Sequence, residues 1–315
     1  MGFENLLGND RLKQNLAESL AKKHISHFYL ISGPEGSGKH TLARLLAAAI
    51  LCRGNRKPCG TCSPCRKVME DNHPDLITVV DPDHKAVPVK MVREIRDDVF
   101  VRPNESDYKI YLFPQELGTE GQNALLKILE EPPEYGVFLL LTDNPDKILP
   151  TVRSRCTELK LLALPKNVLR SQLHRDFPEA PEEDITAAVY RSGGYLGQAK
   201  ALLENGEQLL PQTESFVKAL ASRDSLALVQ TLAPMEKWKR DALLPVLQNW
   251  MEIVQGALVS RSGVTAVSAQ SRMLAQARTA EDLHGALLCL KKAMDYTMSN
   301  VSPAAVCGWL TWELR

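Results

Sequence analysis

Short apolar runs alternate with amphipathic stretches through the first half of the chain, and helical spacing alone continues through the second. Leu12, Leu16 and Leu20 recur at helical intervals within residues 4–24, with Asn9 and Asp10 placed to cap the N-terminus, so a helix is predicted before the first strand. The run HFYLIS, ending at Ser32, is short and apolar; a glycine-rich turn and the helical TLARLLAAAILC follow it. Further strands are predicted at residues 76–80, 109–113 and 137–142, with helices over MVREIRDDVF and EGQNALLKILEE between them. Near-continuous apolar strands separated by helices imply an α/β fold whose largely parallel sheet is covered on both faces. After Leu164 and Pro165 the pattern is helical, broken by Pro178, Pro181, Gly193, Gly194, Gly206 and Pro234. The division expected is an α/β domain over 1–164, a small helical domain over 165–205 and an all-α C-terminal domain over 206–315.

The order strand, loop, helix is what a phosphate-binding loop requires, and GPEGSGKHT from Gly33 to Thr41 supplies one. Gly33, Gly36 and Gly38 let the backbone turn its N–H groups inward, the next helix aims its positive end at the same point, and Lys39 is placed to reach terminal phosphates. Lysine in this motif should be followed by Ser or Thr, whose hydroxyl holds magnesium, yet His40 stands there. Imidazole is a poor ligand for that hard ion, and Thr41, about 100° further round the helix, replaces the hydroxyl only if the first turn rotates. A working ATPase of this type also needs a carboxylate at the tip of a second apolar strand. KIYLF ends instead in Pro114, Gln115 and Glu116, and Glu116 reads as a solvated loop residue. Two defects in the same ion site argue against hydrolysis, although the loop is still shaped to admit ATP.

Four of the seven cysteines fall between residues 52 and 65, at Cys52, Cys59, Cys62 and Cys65. In a reducing compartment such clustering points to a metal, and four thiolates at this spacing can close a tetrahedral shell around a structural zinc ion. An iron–sulfur cluster is the rival, although the continuation x3-C-P of the bacterial cluster motif is absent.

Composition narrows the function further. With 315 residues and 44% hydrophobic content the chain can bury ample core. Its 38 basic and 38 acidic side chains cancel, which removes the long-range field a stand-alone DNA-binding or membrane-surface protein uses. No run approaches the roughly 18 apolar residues of a membrane span, and the opening MGFENLLGND lacks a basic-then-apolar signal layout, so a cytoplasmic protein is expected.

Taken together, FENLLGNDRLKQNL, SHFYLISGPEGSGK, the cysteine knuckle with HPDL at 73–76, NALLKILEEPPE at 123–134 and TVRSRC at 151–156 resemble the AAA+ clamp-loader subunits of bacterial DNA polymerase III, most of all the delta-prime family. The likeness covers about the first 200 residues. It implies an AAA+ domain with a zinc-binding insertion, a helical lid, and a C-terminal collar that assembles with tau/gamma and delta subunits into a hetero-pentamer. It also implies action on the sliding clamp and primed DNA during replication. Arg155 then matches the family's arginine finger, which reaches a neighbour's ATP, and Thr142 matches the sensor position. Gly197 falls where a second sensor arginine is expected. Motor subunits of this family keep the magnesium hydroxyl, the acidic strand end and both sensors, whereas delta-prime subunits often lose them and keep the arginine. Two other readings stand beside this one: a tau/gamma-like ATPase using Lys39, Thr41 and Glu116, and a zinc-dependent nucleic-acid-binding module, which the balanced charge weakens.

Overall fold

In the computed structural model, which describes residues 2–84, 86–204, 211–262, 268–299 and 301–314, the apolar runs of the first half become the strands of one parallel sheet. The chain divides into two units, Met1–Pro178 with Arg191–Ala201, and Glu179–Tyr190 with Leu202–Arg315. Gly206 and the boundary expected beside it lie outside the described residues.

The first unit runs through α1 (Asp10–Ala21), β1 (Phe28–Ser32), α2 (Lys39–Leu51), α3 (Ser63–Met69), β2 (Leu76–Thr78), β3 (Ala86–Val87), α4 (Val89–Asp98) and β4 (Lys109–Phe113). It continues with β5 (Glu116–Leu117), α5 (Thr119–Glu130), β6 (Gly136–Thr142), α6 (Pro150–Arg153), β7 (Thr157–Lys160) and α7 (Lys166–Asp176). After α8 (Glu182–Arg191), the first turns of α9 (Leu196–Glu204) return to it. The main sheet has the order β2-β4-β6-β1-β7, every pair parallel, while β3 and β5 form a separate short pair.

Every residue of β1, β4 and β6 is buried, which is why these strands read as unbroken apolar runs. Alternate residues face opposite layers. Phe28, Tyr111 and Phe138 stack across three strands, with ring centroids 4.4 and 5.0 Å apart, and pack with Val92 of α4 and Leu125 and Ile128 of α5. On the other face Tyr29, Ile31, Leu139 and Leu141 meet Leu42, Leu45 and Leu46 of α2 and Leu16 and Leu20 of α1.

Asn9 occupies the expected cap position of α1 but does not cap it. Its backbone is left-handed, with φ 53°, and its side chain turns instead to Leu162, whose N–H it accepts at 2.9 Å. Glu116, expected in a loop, lies on β5 in register with Ala86 because the chain past Pro114 resumes pairing with β3. The short β7 was not anticipated.

In the second unit α10 (Pro211–Ser222), α11 (Ser225–Leu232), α12 (Arg240–Arg261), α13 (Ala269–Ala277), α14 (Ala280–Met298) and α15 (Pro303–Glu313) enclose one apolar cluster. Phe216 stacks on Trp250 at 3.9 Å between centroids, and the indole N–H donates to Thr213 Oγ1 at 3.1 Å, so the largest buried side chain is satisfied. A capping box of Thr279 and Asp282 starts α14. The strandless pattern expected after residue 164 holds among the described residues.

One buried carboxylate organises the loop between α4 and β4. Asp75, with no exposed surface, accepts N–H bonds from Asn104, Glu105 and Ser106, and its own N–H is donated to His73 Nδ1 at 3.1 Å. Burial works to raise the Asp75 carboxyl, but those three backbone donors outweigh it and hold the group below the ordinary carboxylate range. A native-state value depressed in this way stabilises the fold above the unfolded-state value and stops doing so as pH falls through the native one. Asp75→Asn, which faces the Glu105 and Ser106 donors with an amide nitrogen, should cost roughly 2–3 kcal/mol at pH 7 in denaturant unfolding. The gap between variant and wild type should close as pH is lowered through the acid range; a gap independent of pH would remove the ionised carboxylate from this role.

Candidate functional site

The parallel register places the C-terminal ends of β1 and β6 side by side, Ser32 opposite Thr142, and the Gly33 N–H donates to the Thr142 carbonyl at 3.2 Å. The chain leaves β1 through residues 33–38 and enters α2 with Gly38 as its N-cap, so a positive helix end faces a cavity of about 920 Å3 beyond the sheet. Sheets of this kind bind ligands outside the carboxyl ends of their strands, where neighbouring strands run off in different connections. Gly36, Gly38, Lys39, His40, Thr41 and Thr142 all line this cavity, so the structure brings together the residues expected there apart from Gly33, which does not line it but whose carbonyl accepts from Lys39.

Local geometry accounts for the glycines. Gly36 and Gly38 hold φ of 74° and 94°, a region that side chains disfavour. Gly36 is also touched from above: its carbonyl accepts the Gly197 N–H at 2.9 Å, and a Cβ on Gly197 would stand 2.6 Å from the Gly36 Cα. Gln198 adds a bond from Nε2 to the Glu35 carbonyl at 3.0 Å. The position where a sensor arginine was expected is thus a backbone-to-backbone contact that tolerates only glycine.

His40 and Thr41 are both exposed on the first turn of α2. Partial burial, then the adjacent Lys39 ammonium, push the His40 imidazole below its ordinary value. The Thr142 hydroxyl donates to the Asn144 carbonyl at 2.9 Å and accepts the Asn144 N–H at 3.2 Å, committing it to a local turn. At the tip of β4 Gln115 ties off the neighbouring loop through the Asp81 and His84 carbonyls, and Glu116, which reaches the cavity rim, is paired with Lys147 at 2.7 Å. One contributor was missed from sequence: Asp143, the residue after β6, whose Oδ1 lies 2.5 Å from Lys39 Nζ.

Arg155 lies elsewhere. It precedes β7, whose first residue Thr157 is in register with Tyr29, so it sits at the opposite end of the strands, roughly 13 Å of strand length from the loop that begins at Gly33. Its guanidinium donates to Glu130 Oε1 at 3.1 Å and to the Thr151 carbonyl at 2.9 Å. Five N–H donors are available to a guanidinium, and an exposed pair of this kind holds by only about 0–1 kcal/mol.

The four cysteines converge. The sulfurs of Cys52, Cys59, Cys62 and Cys65 lie within 4.8 Å of one another, and the pairs Cys59–Cys65 and Cys52–Cys62 are each 3.9 Å apart. A tetrahedral zinc ion with bonds of about 2.3 Å separates its sulfurs by about 3.8 Å, so the set can hold one with little movement. Backbone N–H groups of Gly54 and Cys59 point at the Cys52 sulfur, and that of Cys62 at the Cys59 sulfur, at 3.3–3.4 Å. The donors of Cys62 and Thr61 bring the Cys59 thiol down to about 5, whereas burial raises Cys65.

These features define a P-loop α/β unit with a four-cysteine knuckle, followed by helices. The family model described as DNA polymerase III, delta subunit, matches residues 8–165, half of the chain, and the chain belongs to that family. It is 35% identical over 216 residues to DNA polymerase III subunit gamma/tau of Mycobacterium tuberculosis, covering 66% of this chain and 37% of that protein. Subunit tau of Bacillus subtilis is 31% identical over 220 residues, 68% of this chain and 38% of its own length. The chain therefore spans less than two fifths of these curated relatives. A gamma subunit-related protein of Thermotoga maritima superposes with a TM-score of 0.42 at 18% identity, over 97% of this chain and all of that one, a likeness too loose to bear on function.

If Gly197 serves packing, restoring an arginine there should harm the fold. Gly197→Arg is expected to lower stability by about 1–3 kcal/mol in denaturant unfolding; an unchanged midpoint would mean that α9 does not rest on the loop.

Proposed function

We propose that this chain is a delta-prime-like subunit of the DNA polymerase III clamp loader, which helps place the sliding clamp on primed DNA without hydrolysing ATP itself. The observation that carries the reading is the location of Arg155, at the edge of the sheet remote from its own phosphate loop. From there the guanidinium cannot serve this chain's nucleotide, and a phosphate that meets it belongs to another molecule. The loop's own chemistry supports the same division of labour. His40 stands where the ion's hydroxyl ligand is needed, Gln115 is spent on a structural loop, and Gly197 replaces a cation with a packing contact.

In this reading Arg155 acts in trans on a neighbouring tau/gamma ATPase. A permanently charged, forked guanidinium stabilises the charge spread over a transferring phosphoryl group. The parking contact with Glu130 is weak enough for a phosphate to displace. Residues 1–164 form the AAA+ domain, 165–205 its lid, and 206–315 a collar that joins tau/gamma and delta in a hetero-pentamer. Zinc closes the 52–65 knuckle as a brace, since four thiolates leave no open position for catalysis. The site of action is the cytoplasm; among the described residues no helix is long and apolar enough to cross a membrane. A second reading, a tau/gamma-like ATPase, draws on Thr41 and Glu116, both of which line the cavity.

A loader reassembled with Arg155→Ala tests the trans role. Assembly should be intact, and the ATP site served by Arg155 should slow by about 10³-fold, so that total clamp- and DNA-stimulated turnover falls by that site's share. Arg155→Lys should not restore it. Turnover equal to wild type would refute the assignment.

Metal analysis of the purified chain should give close to one zinc per molecule, and its removal by chelation should lower the unfolding temperature of the first unit. Iron in its place, or no bound metal, would overturn the zinc assignment.

A further inference from the structure

Lys39 is already saturated. Its side chain is 9% exposed, and its ammonium donates to the Gly33 carbonyl at 2.7 Å, the Pro34 carbonyl at 3.0 Å and Asp143 Oδ1 at 2.5 Å. An ammonium has three N–H donors, so all three are spent on the chain itself. Two of the acceptors are backbone groups of the loop, but the third is a full negative charge carried on the residue that follows β6. Asp143 is 57% exposed on its side chain and lines the same cavity as Gly36, Gly38 and Thr41. Its carboxylate stands beside the lysine where a terminal phosphate oxygen of a bound nucleotide would seek the same cation.

We propose that Asp143 is the residue that sets this cavity's affinity for polyphosphates, a tethered anion that neutralises Lys39 and repels the phosphates of an incoming nucleoside polyphosphate. The inference rests on the reading above that the loop is a phosphate cradle without turnover of its own. A phosphate must either share Lys39 with a carboxylate a few ångströms away or drive that carboxylate into solvent. Both options weaken binding: the first by like-charge repulsion, the second by loss of the charge-assisted bond. The half-exposed position of Asp143 lets solvent screen part of the effect, which keeps the expected change moderate. Glu116 does not share this role, because its charge is paired with Lys147.

The full-length chain titrated with ATP, and with inorganic pyrophosphate as a probe without a base, tests the proposal. Asp143→Asn keeps the size and an acceptor oxygen while removing the charge, and Asp143→Ser serves as a second variant should the first unfold. Either folded variant should bind both probes about tenfold to a hundredfold more tightly than wild type. The gain should persist in EDTA, because the carboxylate acts on Lys39 and not through a metal ion. It should vanish in the double variant with Lys39→Met. Equal affinity in wild type and variants, including no binding by any of them, would overturn the proposal. So would weaker binding by the variants, which would make Asp143 a ligand of a bound ion, or a gain that survives Lys39→Met. None of these readouts involves Arg155, so the trans role stands or falls separately.

Discussion

Parallel pairing between β1 and β6, from Phe28 opposite Phe138 to Ser32 opposite Thr142, is the constraint on which the chemistry of the first unit depends. Both strands are buried along their whole length, so a slip in register would turn apolar faces against the wrong layers and is strongly opposed. With the register fixed, the backbone leaving β1 must pass beside the end of β6, and Lys39 and Asp143 meet although 104 positions separate them. The same register, carried to β7, sends Arg155 to the far edge. One sheet thus keeps a cation-bearing loop and the weakly paired Arg155 guanidinium at opposite ends of its strands.

If the chain is a loader subunit that does not turn over its own nucleotide, as proposed, that separation lets the ion site be lost while Arg155 keeps its use. The hydroxyl that His40 replaces belongs to one end of the strands and Arg155 to the other, although Ser32 Oγ reaches Glu158, the partner of Arg153. The loop is also held by structural demands: Gly36 receives the Gly197 N–H, and the buried Lys39 ammonium bonds two loop carbonyls and the half-exposed Asp143 carboxylate. Removing such a lysine leaves a carboxylate and two carbonyls without their donor, a cost independent of any ligand.

Much of this architecture was legible in the sequence because burial on both faces leaves a plain signature. KIYLF is a strand over the same five residues that its composition suggests, and FYLIS likewise. β7 was not legible, for TELK is an edge strand with only Leu159 buried and reads as a polar turn. β3 and β5 have two residues each, too few for any periodicity. Asn9 has a capping residue's chemistry but a left-handed backbone that only the tertiary contact to Leu162 explains. At the site, the glycine loop, Lys39 and the cysteine quartet carry local spacing that a reader can recognise. Asp143 carries none, since an aspartate after an apolar strand is ordinary until the fold sets it against Lys39. Gly197 was visible as a departure, but its reason, contact with Gly36, is a long-range fact.

The central claim is that this polypeptide cannot assemble a magnesium site competent to cleave its own triphosphate. Steady-state phosphate release from ATP by the purified full chain with magnesium, compared with Lys39→Ala, tests it most directly. The account predicts that both proteins give the same background rate. Lys39-dependent turnover at about 1 s⁻¹ or faster, the ordinary range of enzymes, would contradict it.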